Sequence, residues 1–285
     1  MNTLLAVPNV SEGRDPVAID AIASAFDGRL LCVHADPDHH RSVFTLAGEP
    51  GGLAQTVLAG AREAVKRIDL FKHEGVHPRV GTLDVAPIVY LHDSDRGAAC
   101  AEALVLADLL GCELELPVFL YGQLAGGRTR AQLRRGGPAA LAERIGSGAQ
   151  KPDFGPNKLH PSAGAVLVAA RAPLIAFNLE LAPPASLQDA KAIAASIRDG
   201  GPEGLHSVRA IGSWLAHRAV AQVSTNVEDY RATHLVEVLA AVGRHARVIE
   251  VELVGLAPEA AFDGFPDAVP VRNRATVEDA LLAGA

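Results

Sequence analysis

The order of apolar runs along this chain, strand, helix, strand, strand, helix, strand, occurs twice, and few folds accommodate that. Residues 4–10 are a short apolar run ended by the polar stretch Ser11-Glu12-Gly13-Arg14, which reads as a buried strand leading into a loop. Asp15-Pro16 then starts a helix, with Asp as cap and Pro in the first turn, and Ile19, Ile22, Ala23 and Phe26 share one face. Residues 29–33 and 42–47 read as strands across a polar turn. Residues 53–68 carry helical spacing in Leu53, Val57, Leu58 and Val65, and residues 85–91 supply another strand. This is the split β-α-β order of a ferredoxin-like unit. A helix at 98–110 and a strand at 117–121 extend it.

The same order returns after Pro173, in residues 174–181, 187–197, 207–211, 219–225, 232–242 and 248–253. The Pro- and Gly-containing segment 151–164 and Ala172-Pro173 separate the two halves, which predicts subdomains at 1–172 and 173–285. The fold class expected is α/β (α+β), two ferredoxin-like β-α-β-β-α-β subdomains. A ligand cleft is expected between them, because small-molecule sites favour domain interfaces.

Bulk properties narrow the partners. With 49% apolar but only 4% aromatic residues, the core must be built from Ala, Val, Leu and Ile. A formal net charge of −7 argues against nucleic acid and anionic membranes, so anionic substrates would need locally concentrated arginines. Cys32, Cys100 and Cys112 are odd in number and lack metal or redox spacing, which suits a reducing compartment. The N-terminus shows no basic-then-apolar leader, and no apolar run approaches the ~20 residues needed to cross a bilayer. A cytoplasmic location is expected.

Three motifs bear on chemistry. His73-Glu74-Gly75-Val76-His77 has the letters of a zinc-protease helix, but Gly75 weakens a helix and Pro78 biases His77 out of the helical region. No metal is expected there. In Asp36-Pro37-Asp38-His39-His40-Arg41 the polar side chains serve a solvated turn or touch substrate, and the adjacent imidazoles should diverge. His77-Pro78-Arg79-Val80-Gly81 reads as a rigid loop that fixes an imidazole beside a guanidinium, with Asp84 placed to orient either cation.

These residues, together with Val7-Pro8-Asn9-Val10-Ser11-Glu12-Gly13-Arg14, Pro152-Asp153-Phe154-Gly155-Pro156, Ala176-Phe177-Asn178 and Gln222-Val223-Ser224-Thr225-Asn226, resemble the formiminotransferase domain, over about residues 4 to 256. The resemblance implies a folate-dependent transferase of histidine degradation. It would move the formimino group of N-formiminoglutamate to tetrahydrofolate, with His77 as catalytic base and no metal. It also implies that Gly155-Pro156-Asn157-Lys158-Leu159-His160-Pro161-Ser162-Ala163-Gly164 binds folate, and that the protein is a homodimer. Ala163 stands where mammalian members carry Trp, and His40 where bacterial-type members tend to carry Asn. The cyclodeaminase domain fused onto mammalian members has no counterpart in these residues, so the product would pass to a separate cyclodeaminase.

Such a transfer needs one nitrogen to lose a proton and another to gain one, and a single imidazole can serve both steps. Arg41 and Arg79 are the candidates to grip substrate carboxylates. Two alternatives remain at this level: a transferase using another formimino or formyl amino-acid donor, and a folate-binding protein without turnover.

Overall fold

A computed structural model describes residues 3–75 and 77–283 of the chain, and the statements below concern those residues. The fold is mixed α/β with two separate sheets. The chain divides into two compact units, Met1–Arg171 and Ala172–Ala285.

In the first unit the opening apolar run is one strand in two pieces, β1 (Leu4–Ala6) and β2 (Asn9–Val10). Pro8, which has no N–H to give the ladder, lies in the break. Helix α1 (Pro16–Ala25) starts as its sequence demands: the Asp15 carboxylate accepts from the Val17 and Ala18 amides, and Ala18, Ile19 and Ile22 are buried. Strands β3 (Arg29–Asp36) and β4 (Arg41–Gly48) form a hairpin, followed by α2 (Leu53–Arg67) and β5 (Leu83–Tyr90). β1 lies antiparallel between β4 and β5, with Leu5 opposite Ala47 on one side and Val89 on the other. The order β3, β4, β1, β5 is the ferredoxin-like arrangement. Buried Glu102, on α3 (Arg96–Glu113), accepts from the Gly51 and Ala54 amides at the start of α2, each at 2.6 Å. A carboxylate there satisfies orphan donors and suits the helix dipole.

The sheet does not stop at β5. β6 (Val118–Leu120) and β7 (Val166–Arg171) continue it in parallel, in the order β5, β7, β6. Between them come α4 (Arg130–Arg134) and α5 (Gly137–Gly146). The sequence reading placed no element between residues 122 and 173, so α4, α5 and β7 are additions to it. β7 is buried almost throughout, and its continuous apolar run has no alternation to mark it as a strand.

The second unit is the simpler one. β8 (Ile175–Leu181), α6 (Leu187–Ile197), β9 (Val208–Leu215), β10 (Val220–Val227), α7 (Leu235–Gly243) and β11 (Val248–Val254) give the sheet order β11, β8, β10, β9. A short β12 (Val271–Arg272) adds to β11, and α8 (Val277–Ala283) follows. Phe177, Leu179, Ile193, Ile197, Val223, Val238, Val251 and Leu253 fill the core. Burying each such side chain stabilises the fold by roughly 1.5–3 kcal/mol before entropy is counted. Glu180 is buried but receives hydrogen bonds from both Arg218 and Arg272, which is what keeps a buried carboxylate tolerable.

Candidate functional site

His77 follows a short 3-10 turn, Leu70–Lys72, and precedes β5. Residues 73–75 and 77 are not helical, so His73 and His77 do not share a helix face. Arg79 fastens this loop: Nη1 donates to the carbonyls of Gly75 (3.0 Å) and His77 (3.3 Å), and Nη2 to that of His73 (2.5 Å). The guanidinium offered above as a substrate clamp is thus engaged by its own loop. Asp84 is 2% exposed; it accepts from the Val80 amide at 2.8 Å and pairs its other oxygen with Arg134. The cation it orients is therefore neither His77 nor Arg79 but one supplied by α4.

Arg41, the first residue of β4, donates from Nη1 to His77 Nε2 at 2.8 Å. A guanidinium has no lone pair to offer, so Nε2 is the acceptor and the neutral ring carries its proton on Nδ1. Burial, then the positive charges of Arg41 and Arg134, hold His77 well below the ordinary imidazole range. Burial and the like charge of Arg134 bring Arg41 itself down to about 9, still cationic at neutral pH. His77 is consequently a neutral imidazole in a strongly positive field.

The two adjacent histidines part as expected. His39, at the β3–β4 turn, is held twice by Asp36: Oδ1 accepts its amide at 2.8 Å and Oδ2 lies 2.9 Å from Nδ1. Its ring meets that of His77 edge-on, centroids 6.3 Å apart. Burial would raise the Asp36 pKa, but the hydrogen bonds from His39 outweigh it and set the value at about 2. His40, at φ +49°, turns away. It stacks on His73 with centroids 4.0 Å apart, and its Nδ1 lies 2.8 Å from the Glu74 carbonyl while His73 Nε2 lies 2.7 Å from the His40 carbonyl. That pair ties the His77 loop to the hairpin. Glu12 completes the tie: its Oε1 takes the amides of Gly13, Arg14 and Asp15 and lies 3.1 Å from His40 Nε2.

The segment from Gly155 to Gly164 docks beside this loop. Leu70 N–H donates to the Ser162 carbonyl and Thr82 N–H to the Ala163 carbonyl, while Ser162 and Ala163 donate their amides to His160 Nδ1. Gly155, Asn157, Lys158 and Pro161 are exposed, whereas Ala163 and Gly164 are buried. The two glycines are required by the protein itself. Gly155 (φ +74°) would place a Cβ 2.1 Å from the Leu116 carbonyl oxygen, and Gly164 (φ +72°) one 2.3 Å from that of Val80. They let backbone approach backbone, and an approach to a flat ligand ring is not needed to explain them.

Arg130 and Arg134 are the site residues the sequence reading missed. They stand four apart on α4, and both contribute positive field at His77. Thr129 and Gln132 form a reciprocal capping box at the start of this helix. That Thr-x-x-Gln spacing was the legible signal. Arg130 also lies 5.7 Å over the Tyr121 ring, whose buried hydroxyl has no hydrogen-bond partner among the described residues. A neutral imidazole ringed by guanidinia, with a second imidazole fixed by a carboxylate, is equipped to bind carboxylates and move protons.

Comparison with known proteins agrees in both halves. Residues 3–171 match the formiminotransferase domain, N-terminal subdomain, and residues 176–263 match the formiminotransferase domain. The chain is 38% identical over 271 residues to the rat protein named formimidoyltransferase-cyclodeaminase, covering 88% of this chain and 49% of that one; it spans about half the length of such relatives. It is 35% identical over 267 residues to the glutamate formimidoyltransferase of Streptococcus pyogenes serotype M1, covering 90% and 89% of the two chains. Against the Thermoplasma acidophilum glutamate formimidoyltransferase, identity is 35% over 277 residues, with 92% and 90% covered. With both subdomain matches in order, the chain belongs to the formiminotransferase family of transferase enzymes.

Proposed function

We propose that this enzyme transfers the formimino group of N-formiminoglutamate to tetrahydrofolate, giving 5-formiminotetrahydrofolate and glutamate, as a step in histidine degradation. The observation that carries the reading is His77, neutral and set among Arg41, Arg130 and Arg134. The donor brings carboxylates, and so does the folate tail. In a protein of net charge −7 this cluster supplies a local positive field. Attack by the reduced pterin nitrogen requires loss of its proton, and departure of glutamate requires a proton on its nitrogen. An imidazole at that point, with both reactants held in register, supplies what such a transfer needs.

In this reading the exposed part of the segment from Gly155 to Gly164, led by Asn157 and Lys158, meets the folate. Arg41 is the carboxylate-gripping residue, and Arg79 and Asp84 orient the loop and Arg134. No metal enters the scheme, and the reading extends to a cytoplasmic homodimer. Among the described residues no helix is long and apolar enough to cross a membrane.

The test is incubation with tetrahydrofolate and a panel of formimino and formyl amino acids, following the one-carbon product. Transfer from N-formiminoglutamate ahead of the others supports the proposal. Preference for another donor would reassign the substrate, and folate binding without transfer from any donor would make this a binding protein. His77→Ala should lower turnover by roughly 100-fold or more, with folding unchanged.

A further inference from the structure

We propose that the Tyr121 hydroxyl belongs to the substrate site and, together with the open edge of the Arg41 guanidinium, holds the two carboxylates of the glutamate-bearing donor. The inference rests on the transferase reading above and names the residues that make a dicarboxylic donor the preferred one.

It starts from donors that the fold buries without an acceptor. Among the described residues, Arg41 Nε, Arg134 Nε and the Tyr121 hydroxyl are all in this state. A buried polar group left so is costly, and most native ones find a partner. Arg41 gives Nη1 to His77 Nε2 at 2.8 Å. Its buried Nε lies on the other edge of the guanidinium, beside Nη2, and that edge is the one that grips a carboxylate through two parallel bonds. Tyr121 directly follows β6, and its amide donates to the Val168 carbonyl at 3.0 Å. Its ring shares one apolar cluster with Phe119, with Leu133 of α4 and with Val80, three residues beyond His77. The packing that seats the His77 loop therefore seats this phenol too, and Arg130 lies 5.7 Å over the ring.

The carboxylates nearby are already committed. Asp84 serves the Val80 amide and Arg134, and Asp36 serves His39. Glu12 takes the amides of Gly13, Arg14 and Asp15. Asp153 takes the Leu120 amide and Arg128. The acceptors that complete Arg41 and Tyr121 must then come from outside the fold, and in the field of Arg41, Arg130 and Arg134 they are anionic. A phenol O–H facing a carboxylate makes a short, charge-assisted bond. A glutamate-bearing donor has two carboxylates, one for the Arg41 edge and one for the hydroxyl. Tyr121 is in this account a binding residue that sets specificity, and His77 keeps the proton transfer.

Tyr121→Phe tests this, because it deletes the hydroxyl and nothing else. That hydroxyl has no partner within the described residues, so melting should hold or rise. Calorimetric affinity for glutamate, the part of the donor that carries both carboxylates, should nevertheless fall by roughly 10–100-fold. Glutamine and 4-aminobutyrate each lack one of the two carboxylates. The wild type should bind both more weakly than glutamate, and Tyr121→Phe should bind glutamate no better than one of them. In the transfer assay the same variant should raise KM for N-formiminoglutamate with little change in kcat. Unchanged glutamate affinity in Tyr121→Phe, or a wild type that binds either analogue as tightly as glutamate, would overturn the proposal. So would a loss of affinity that merely follows a fall in melting temperature, which would make the phenol a packing residue. Glutamate binding that depends on Tyr121 in a protein that transfers from no donor would sink the functional reading and leave this subsite standing.

Discussion

Removing the Asp84 carboxylate should be among the most destabilising single changes in the first unit. Asp84 is 2% exposed, the Arg134 side chain it pairs with is 11% exposed, and its second oxygen satisfies the Val80 amide at 2.8 Å. Asp84→Leu leaves a buried guanidinium and a buried N–H without their acceptor. Breaking a buried pair from one side costs about 3–5 kcal/mol. An orphaned amide costs about 1–3 kcal/mol, a loss that overlaps the first because one side chain serves both groups. We therefore expect about 4 kcal/mol, with Asp84→Asn intermediate because it keeps an acceptor for Val80. Arg134→Met in the Asp84→Leu background should recover at least about 2 kcal/mol by removing the stranded cation. Urea unfolding of the wild type, Asp84→Leu, Arg134→Met and the double variant, followed by circular dichroism, closes the cycle. Wild-type stability in Asp84→Leu, or no recovery in the double variant, would refute the view that Asp84 exists to hold Arg134.

Arg79→Lys keeps the charge but cannot reach three carbonyls, so thermal melting should fall by an amount corresponding to about 2 kcal/mol; lost activity at unchanged melting would return Arg79 to the substrate. Gly164→Val should unfold or strongly destabilise the first unit, whereas Asn157→Ala and Lys158→Ala should weaken tetrahydrofolate binding in calorimetry at unchanged melting. Burial holds His73 near pKa 4, against about 6.5 in the unfolded chain. The unfolded state therefore binds more protons in this window, and His73's contribution, complete above about pH 6.5, is lost progressively down to about pH 4. His77 adds to the same trend, and His73→Asn should flatten the pH dependence of urea midpoints over that range.

The second unit was legible almost element for element, because each strand alternates or runs apolar and each helix shows its spacing; α6 (Leu187–Ile197) even begins at a Ser186–Asp189 capping box. The first unit was legible up to β6, with the helix expected at 98–110 and the strand at 117–121 standing as α3 and β6. Beyond it, α4 is only five residues long and lies between Gly126-Gly127 and Gly136-Gly137, a composition that reads as loop. What gives Arg134 its importance is Asp84, fifty positions away in sequence. No local pattern carries that pairing. The divergence of His39 from His40 was foreseeable, but which ring would turn toward His77 was not. That choice depends on Asp36 capturing one imidazole and Glu12 and Glu74 engaging the other. The candidate roles of Arg79 and Asp84 were read from adjacency, and the structure shows adjacency in sequence becoming support for a loop.

The proposed reaction carries a one-carbon unit from a formimino amino acid to a reduced pterin at His77. The most direct measurement follows the label itself: N-formiminoglutamate carrying carbon-13 in its formimino group, incubated with tetrahydrofolate and enzyme, and observed by carbon NMR. The label should move to 5-formiminotetrahydrofolate with stoichiometric release of glutamate, and folded His77→Ala should slow the transfer by roughly 100-fold or more. A label that stays on the amino acid in the presence of active-site-saturating tetrahydrofolate, or transfer at an undiminished rate in His77→Ala, would contradict it.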